Sequence, residues 1–301
     1  MMLPAFAAAL SFPNFDPVAV TIPLLDFPIR WYALAYIVGI LIGWRIALAA
    51  VKTTRLWAKD SPPMTPQQVE DLMTWIIIGV LLGGRLGFVI FYRPFYYLQN
   101  LAEIPAVWQG GMAFHGGFLG VLLAIYLYCK RHKLALLSVG DAIAISVPPA
   151  LLLGRLSNFI NAELWGRPSD VPWAVVFPGQ AAQDCPGVLG ACARHPSQLY
   201  EAGLEGLLLG LVLIVLVWRF DILKRPGAAV GVFFAGYGAA RVFVEFFRQP
   251  DAQFVTPGNP LGYILHVNGI GITQGQLLSL PMIAIGLWLL FRKDPAKHHA
   301  S

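Results

Sequence analysis

Gly154-Arg155-Leu156-Ser157-Asn158-Phe159-Ile160-Asn161-Ala162-Glu163-Leu164-Trp165-Gly166 closes a long apolar run, yet it carries an arginine, two asparagines and a glutamate. A charge at the centre of a bilayer costs about 2.5–3.5 kcal/mol on insertion scales, so a segment that only had to span lipid would carry leucine here. Polar groups in such a place need partners or a ligand, and arginine among them favours an anion. The plainer alternative is a helix end at the membrane surface, with Arg155 reaching to lipid headgroups. The stretch alone leaves both open.

Outward from it, the chain is 57% hydrophobic and 12% charged. Ordinary globular domains carry about 25% charged residues, which excludes a soluble domain. Apolar stretches near the ~20 residues that cross a bilayer fall at 30–51, 70–92, 112–129, 139–161, 199–218, 227–246 and 272–291. Seven helical spans are predicted, because unpaired backbone groups cannot be left in hydrocarbon. The third is short, and Pro148-Pro149 should kink or break the fourth. The expectation is an all-α polytopic membrane protein, a single integral membrane domain over 1–301. No internal repeat is visible, and the first twenty residues lack the basic start of a cleaved signal peptide.

Lysines and arginines in the flanks give the orientation. One side holds Lys52, Arg55 and Lys59; Lys130, Arg131 and Lys133; Arg219, Lys224 and Arg225; and Arg292, Lys293 and Lys297. The other holds only Arg30, Arg93, Arg167, Arg194 and Arg248. The N-terminus is therefore expected outside and the C-terminus in the cytoplasm. The net charge of +5 is explained as topology, and no nucleic-acid partner is expected. The outer side carries the longer connections, 93–111 and 164–198; the latter, rich in proline and tryptophan, is expected to be a folded periplasmic cap. Cys185 and Cys192 lie within it, on the oxidising side, and a disulfide or two free thiols are both open. No Cys-x-x-Cys pair or carboxylate cluster supplies a metal set, so no metal is expected.

Four polar sets converge on the outer half of the membrane in this topology. The opening stretch is one. His115, followed by Gly116-Gly117, is the second; its glycines permit close approach of a backbone or ligand, although a lone interfacial histidine also serves as a hydrogen-bonded structural residue. The third is Tyr237, Arg241 and Glu245, spaced i, i+4, i+8 on one helical face and running on to Arg248. A self-contained Arg241/Glu245 pair would leave unexplained why an apolar span holds both charges. The fourth is Gln198, Glu201 and Glu205, again on one face, where acids also suit the positive start of a helix dipole. Arg30-Trp31-Tyr32 opens span one at the same level, as site or as interfacial aromatic belt. Arg85, among Gly83, Gly84 and Gly87, reads as structural, with Glu201 or Glu245 as examples of a partner.

In this order the motifs resemble the prolipoprotein diacylglyceryl transferase family over nearly the whole chain. The resemblance rests on Arg30-Trp31-Tyr32, Gly83-Gly84-Arg85, His115-Gly116-Gly117, Gly154 to Gly166, Arg194 to Glu201, and Tyr237 to Asp251. Ser157 stands where the family commonly has glycine. The resemblance implies a bacterial inner-membrane enzyme whose site faces the periplasm. It would move an sn-1,2-diacylglyceryl group from phosphatidylglycerol to the lipobox cysteine of a preprolipoprotein signal peptide, releasing glycerol 1-phosphate. It further implies catalytic roles for His115, Arg155 and Arg241, with His115 as base. Arg155, Arg241, Asn158, Glu163, Gly166, Tyr32, Tyr237 and Glu245 would bind the lipid headgroup. No cofactor is needed, because the lipid carries its own leaving group. The chief alternative is a transporter or channel for an anionic solute, since broken helices with buried charges also mark transporters. An intramembrane protease is weaker, with no Gly-x-Ser-x-Gly elbow in the chain.

Overall fold

In the computed structural model each of the apolar stretches is largely helical, and Thr65 and Thr273 cap the helices that follow them. The structure describes residues 9–23, 26–185, 188, 190–267 and 270–292; the chain start, where no leader is expected, and Lys293 and Lys297 of the basic flank lie outside the described residues. In order, β1 (Leu10–Ser11), β2 (Val18–Ile22) and β3 (Phe27–Arg30) precede α1 (Trp31–Lys52), α2 (Pro66–Phe91), α3 (Pro94–Gln99) and α4 (Phe114–His132). Next come α5 (Leu136–Ala144), α6 (Pro148–Ile160), β4 (Val175–Val176), α7 (Gln180–Gln183) and α8 (Ser197–Glu201). A π-helical turn, Ala202–Leu208, joins α8 to α9 (Leu209–Phe220). Then follow α10 (Ala228–Val244), β5 (Leu265–Val267), β6 (Ile270–Ile272) and α11 (Gln274–Phe291).

This is a mostly helical membrane protein. The purely helical expectation is corrected in its connections, where β1 pairs with β4, β2 with β3 and β5 with β6. Backbone that leaves a helix must still find hydrogen-bond partners, and short strand pairs supply them. Among the described residues, four helical runs are long and apolar enough to cross a bilayer: α1, α2, the α8–α9 run Ser197–Phe220, and α11. Broken at Pro148-Pro149 as the sequence suggested, α5 and α6 make a fifth if taken together. The 17 residues of α10 are short for a crossing, and α4 is diluted by His115, three glycines and a basic end.

The chain forms two compact units: one of Trp44–Ile143 with Leu223–Pro226, the other of the remaining segments. In the first, α2 and α4 meet through glycines. A Cβ on Gly87 would lie 2.8 Å from the Gly116 Cα, and one on Gly83 the same distance from the Gly120 Cα. Small residues let helix backbones touch in lipid, where no hydrophobic force drives them together. The close approach that the glycines after His115 permit is therefore made, at Gly116, by another helix. Arg85, 3% exposed, pairs with no glutamate. It donates to the carbonyls of Glu103 and Ile104 at 2.7 Å and of Gly110 at 2.6 Å, and its guanidinium lies over the Tyr97 ring. It is a strut for the loop 93–111, whose carbonyls turn inward and need a donor.

The second unit holds the loop 164–198, expected to be a cap. Phe177, fully buried, packs with Val175 and Ala182 against Phe12, Phe159 and Trp165, and a disulfide joins Cys185 to Cys192. In the same unit α1 approaches α6 closely, since a Cβ on Gly39 would meet the Ala150 Cα at 2.8 Å. Likewise α10 and α11 touch where a Cβ on Gly286 would meet the Ala235 nitrogen at 2.5 Å.

Candidate active site

The last turn of α6 presents Arg155 and Asn158 a turn apart. Beyond it, Ala162 (φ 53°) and Leu164 (φ 56°) are left-handed, a conformation that costs a non-glycine residue roughly 1–2 kcal/mol. They turn the chain back so that the Glu163 N–H donates to the Asn158 carbonyl at 3.0 Å. This brings the Glu163 carboxylate to the Asn158 side-chain amide at 2.8 Å, and the same amide donates to the Tyr32 hydroxyl at 2.7 Å. The first turn of α8 pins the reversal: Gln198 donates to the Glu163 carbonyl at 2.6 Å and Ser197 to that of Leu164 at 3.0 Å. Three residues far apart in sequence, Tyr32, Asn158 and Glu163, thus form one polar chain.

Below α8's first turn lies Glu201, with 0% of its side chain exposed. Arg155 Nε is 2.8 Å from one carboxylate oxygen, as an ion pair out of line for a hydrogen bond. The other oxygen accepts from Arg241 at 2.6 Å and from Arg248 at 2.5 Å. Glu245 binds Arg241 one turn away on its helix, stands 3.3 Å from Arg248 Nε, and accepts from the Thr273 hydroxyl at 2.9 Å. Thr273 also caps α11 with Gln276, which fixes the start of that helix to the cluster. Glu205, in the π-helical turn, is fully buried; one oxygen lies 3.7 Å from Arg155, and neither oxygen has a hydrogen-bond partner. Such a turn inside an α-helix is frequently found at a functional site. Tyr237 stacks on Phe233 and sits within electrostatic reach of Glu205, Arg155 and Arg241.

Of the residues singled out in the sequence, Arg155, Arg241 and Glu245 are brought into one ionic cluster, and Tyr32, Asn158 and Glu163 into a polar chain that begins one helical turn from Arg155. The Arg241/Glu245 pair is real but not self-contained, since Arg241 also holds Glu201. Gly166 contributes by lacking a side chain: a Cβ there would stand 2.8 Å from the His195 Cβ and carbonyl oxygen and closer still to the Phe247 oxygen. It pairs with Arg248 in an antiparallel bridge. His115 belongs to the other unit, exposed in the first turn of α4, edge-on to Phe114. Glu201, Glu205 and Arg248 stood in the polar sets of the sequence without an assigned role, and Thr273 was not singled out. The same-face spacing of Gln198, Glu201 and Glu205 was the available signal, and the helix-dipole explanation competed with it.

In the cap, Arg194 is 1% exposed and stacked 4.0 Å from the Trp165 ring. It donates to the carbonyls of Ala182, Asp184 and Gly166 and to Gln249. Burial pushes its basicity down, against the pull of Asp184. Burial likewise lowers the His195 pKa, opposed by Asp170; its Nδ1 is 3.0 Å from the Tyr200 hydroxyl.

The profile of the family described as prolipoprotein diacylglyceryl transferase matches residues 17–292. This chain belongs to that family. It is 63% identical over 295 residues to the phosphatidylglycerol–prolipoprotein diacylglyceryl transferase of Roseobacter denitrificans, covering 97% of this chain and 99% of the relative. Identity to the Ruegeria pomeroyi protein of the same name is 65% over 287 residues, covering 95% and 97%. The Brucella anthropi protein of that name shares 48% over 288 residues, covering 96% and 95%. As a prolipoprotein diacylglyceryl transferase family member the chain is an enzyme, and the anion-transporter alternative is left without support. The matched region takes in all the elements that build both networks.

Proposed function

We propose that the protein transfers the sn-1,2-diacylglyceryl group of phosphatidylglycerol to the lipobox cysteine of a preprolipoprotein signal peptide, the first step of lipoprotein lipidation. The cysteine sulfur bonds to the glyceryl carbon, the carbon–oxygen bond to phosphate breaks, and its electron pair leaves on glycerol 1-phosphate. Arg155 and Arg241 bind the phosphate and offset the charge that grows on it, in surroundings dry enough for that to matter. A free thiol, with a pKa near 8.5, must lose its proton to react, and His115 takes it. Tyr32, Asn158, Glu163, Tyr237 and Glu245 orient the headgroup and the arginines, and Gly166 lets the cap close against the end of α10. The enzyme sits in the bacterial inner membrane with seven crossings, N-terminus outside, C-terminus cytoplasmic, and site toward the periplasm.

The observation that carries this reading is the meeting of Arg155 and Arg241 on one buried carboxylate, at 2.8 and 2.6 Å. Two guanidiniums held that close make a planar-fork site suited to phosphate oxygens. The test is incubation of purified protein with phosphatidylglycerol and a lipobox peptide, scored by mass. A diacylglyceryl gain on the cysteine is expected. No gain, or an equal gain from phosphatidylcholine, defeats the reading.

A further inference from the structure

We infer that Arg248 is a third phosphate-binding cation of the site and that Glu201 is the positioning residue that holds all three guanidiniums in one layer. The inference rests on the proposed transfer and adds two residues to it.

The cluster is stratified. Its carboxylates lie at the back, with Glu201 and Glu205 at 0% side-chain exposure and Glu245 at 10%. The arginine side chains are more open: Arg155 is 20%, Arg241 17% and Arg248 18% exposed. Solvent therefore reaches each of the three arginine side chains more than any carboxylate of the cluster. In openness and in attachment to Glu201, Arg248 matches the two arginines already assigned, with its NH1 group on the same Glu201 oxygen as that of Arg241.

Its placement is over-determined. The Arg248 backbone bridges Gly166, its carbonyl accepts from Arg167 at 2.8 Å, and its amide closes on Val244 at 3.1 Å. A residue needed only to end α10 would not require its side chain to turn back 2.5 Å from a fully buried glutamate. Like charges this close repel unless an anion lies between them. Glu201 supplies that anion from behind and leaves the forward donors for a ligand. Phosphatidylglycerol carries one phosphate charge; breaking the carbon–oxygen bond turns the diester into a monoester able to carry two. A third guanidinium therefore acts more on the departing phosphate than on the bound lipid, and catalysis responds to interactions that strengthen toward the transition state.

The test compares the wild type with Arg248→Gln, Arg248→Lys, Glu201→Gln and Glu201→Asp in phosphatidylglycerol nanodiscs with a lipobox peptide. Arg248→Gln should lower kcat at least tenfold with KM for the lipid within about threefold, and Arg248→Lys should recover part of the loss. Glu201→Gln should weaken all three arginine contacts and fall further, with Glu201→Asp recovering part. For any variant that does not fold, the second readout uses wild-type protein. Arg248 modification by phenylglyoxal, followed by mass spectrometry, should be slowed by phosphatidylglycerol vesicles and by glycerol 1-phosphate, and not by phosphatidylcholine vesicles. Slowing by inorganic phosphate alone would assign the site to a free anion and overturn the lipid assignment. Wild-type kcat in Arg248→Gln, or modification indifferent to phosphatidylglycerol, overturns the inference. Absence of transfer by the wild type defeats the parent reading instead.

Discussion

Arg241→Ala separates the chemical use of the cluster from its structural use. The substitution removes one guanidinium from two carboxylates at once. Each keeps a partner: Glu201 retains Arg155 at 2.8 Å and Arg248 at 2.5 Å, and Glu245 retains Thr273 at 2.9 Å. Breaking a buried ion pair costs about 3–5 kcal/mol when the remaining charge is stranded. Here nothing is stranded, and the guanidinium is 17% exposed, so the loss of stability should be smaller, about 1–2 kcal/mol. Activity should fall much further. Removing one preorganised donor to developing charge typically lowers kcat by about 10²–10³, and Arg241 offers two nitrogens in fixed geometry. The assay is steady-state transfer to a lipobox peptide, paired with a thermal melt in the same detergent. A kcat above a tenth of wild type, with an unchanged melt, would falsify the phosphate-site reasoning. A collapse of the melt alongside activity would instead assign Arg241 to structure, and Arg241→Lys, which keeps charge but not the fork, would then show no recovery of kcat.

Gly166→Ala should destabilise the cap by about 1–3 kcal/mol, the usual range for overpacking, because its Cβ meets His195 at 2.8 Å; limited proteolysis of the cap reads this, and wild-type resistance refutes it. Replacing both Cys185 and Cys192 by serine should cost about 2–3 kcal/mol for a loop this short, and a reducing agent should shift the gel mobility of a cleaved cap; no shift means free thiols. Burial depresses the folded-state pKa of His195 below its ordinary 6.5, so the unfolded chain binds the extra proton first. The His195 contribution should be intact above pH ~6.5 and be lost as pH falls from there toward the folded pKa, so that in His195→Gln the melt loses less stability between pH 7 and 5 than in wild type; equal losses refute this. His115→Gln should slow transfer most at low pH and least where the thiol ionises unaided, and a profile parallel to wild type would assign His115 to structure.

The helical stretches were legible in the sequence because a bilayer imposes a length and an apolarity on anything that crosses it, and the break in α5–α6 because two adjacent prolines can start a helix but not continue one. Tyr237, Arg241 and Glu245 were legible as a face for the same reason: helical spacing is local. The β1–β4 pair was not, since Leu10 pairs with Val175 across more than half of the chain and no local pattern encodes that. Arg85 shows the limit most plainly. Its charge in a glycine-rich span called for a partner, and the sequence offered glutamates; the fold supplied backbone carbonyls from the next loop, which carry no side-chain signature.

By itself, then, the sequence determined the membrane character, the family and the polar residues that lipid would not tolerate without cause. Only the tertiary structure decided which of them share a partner. Glu201 accepts hydrogen bonds from Arg241 and Arg248 and pairs ionically with Arg155, whereas in the sequence its face with Gln198 and Glu205 named no partner. Proximity between residues so distant along the chain is set by how helices pack, and no spacing rule within one helix can express it.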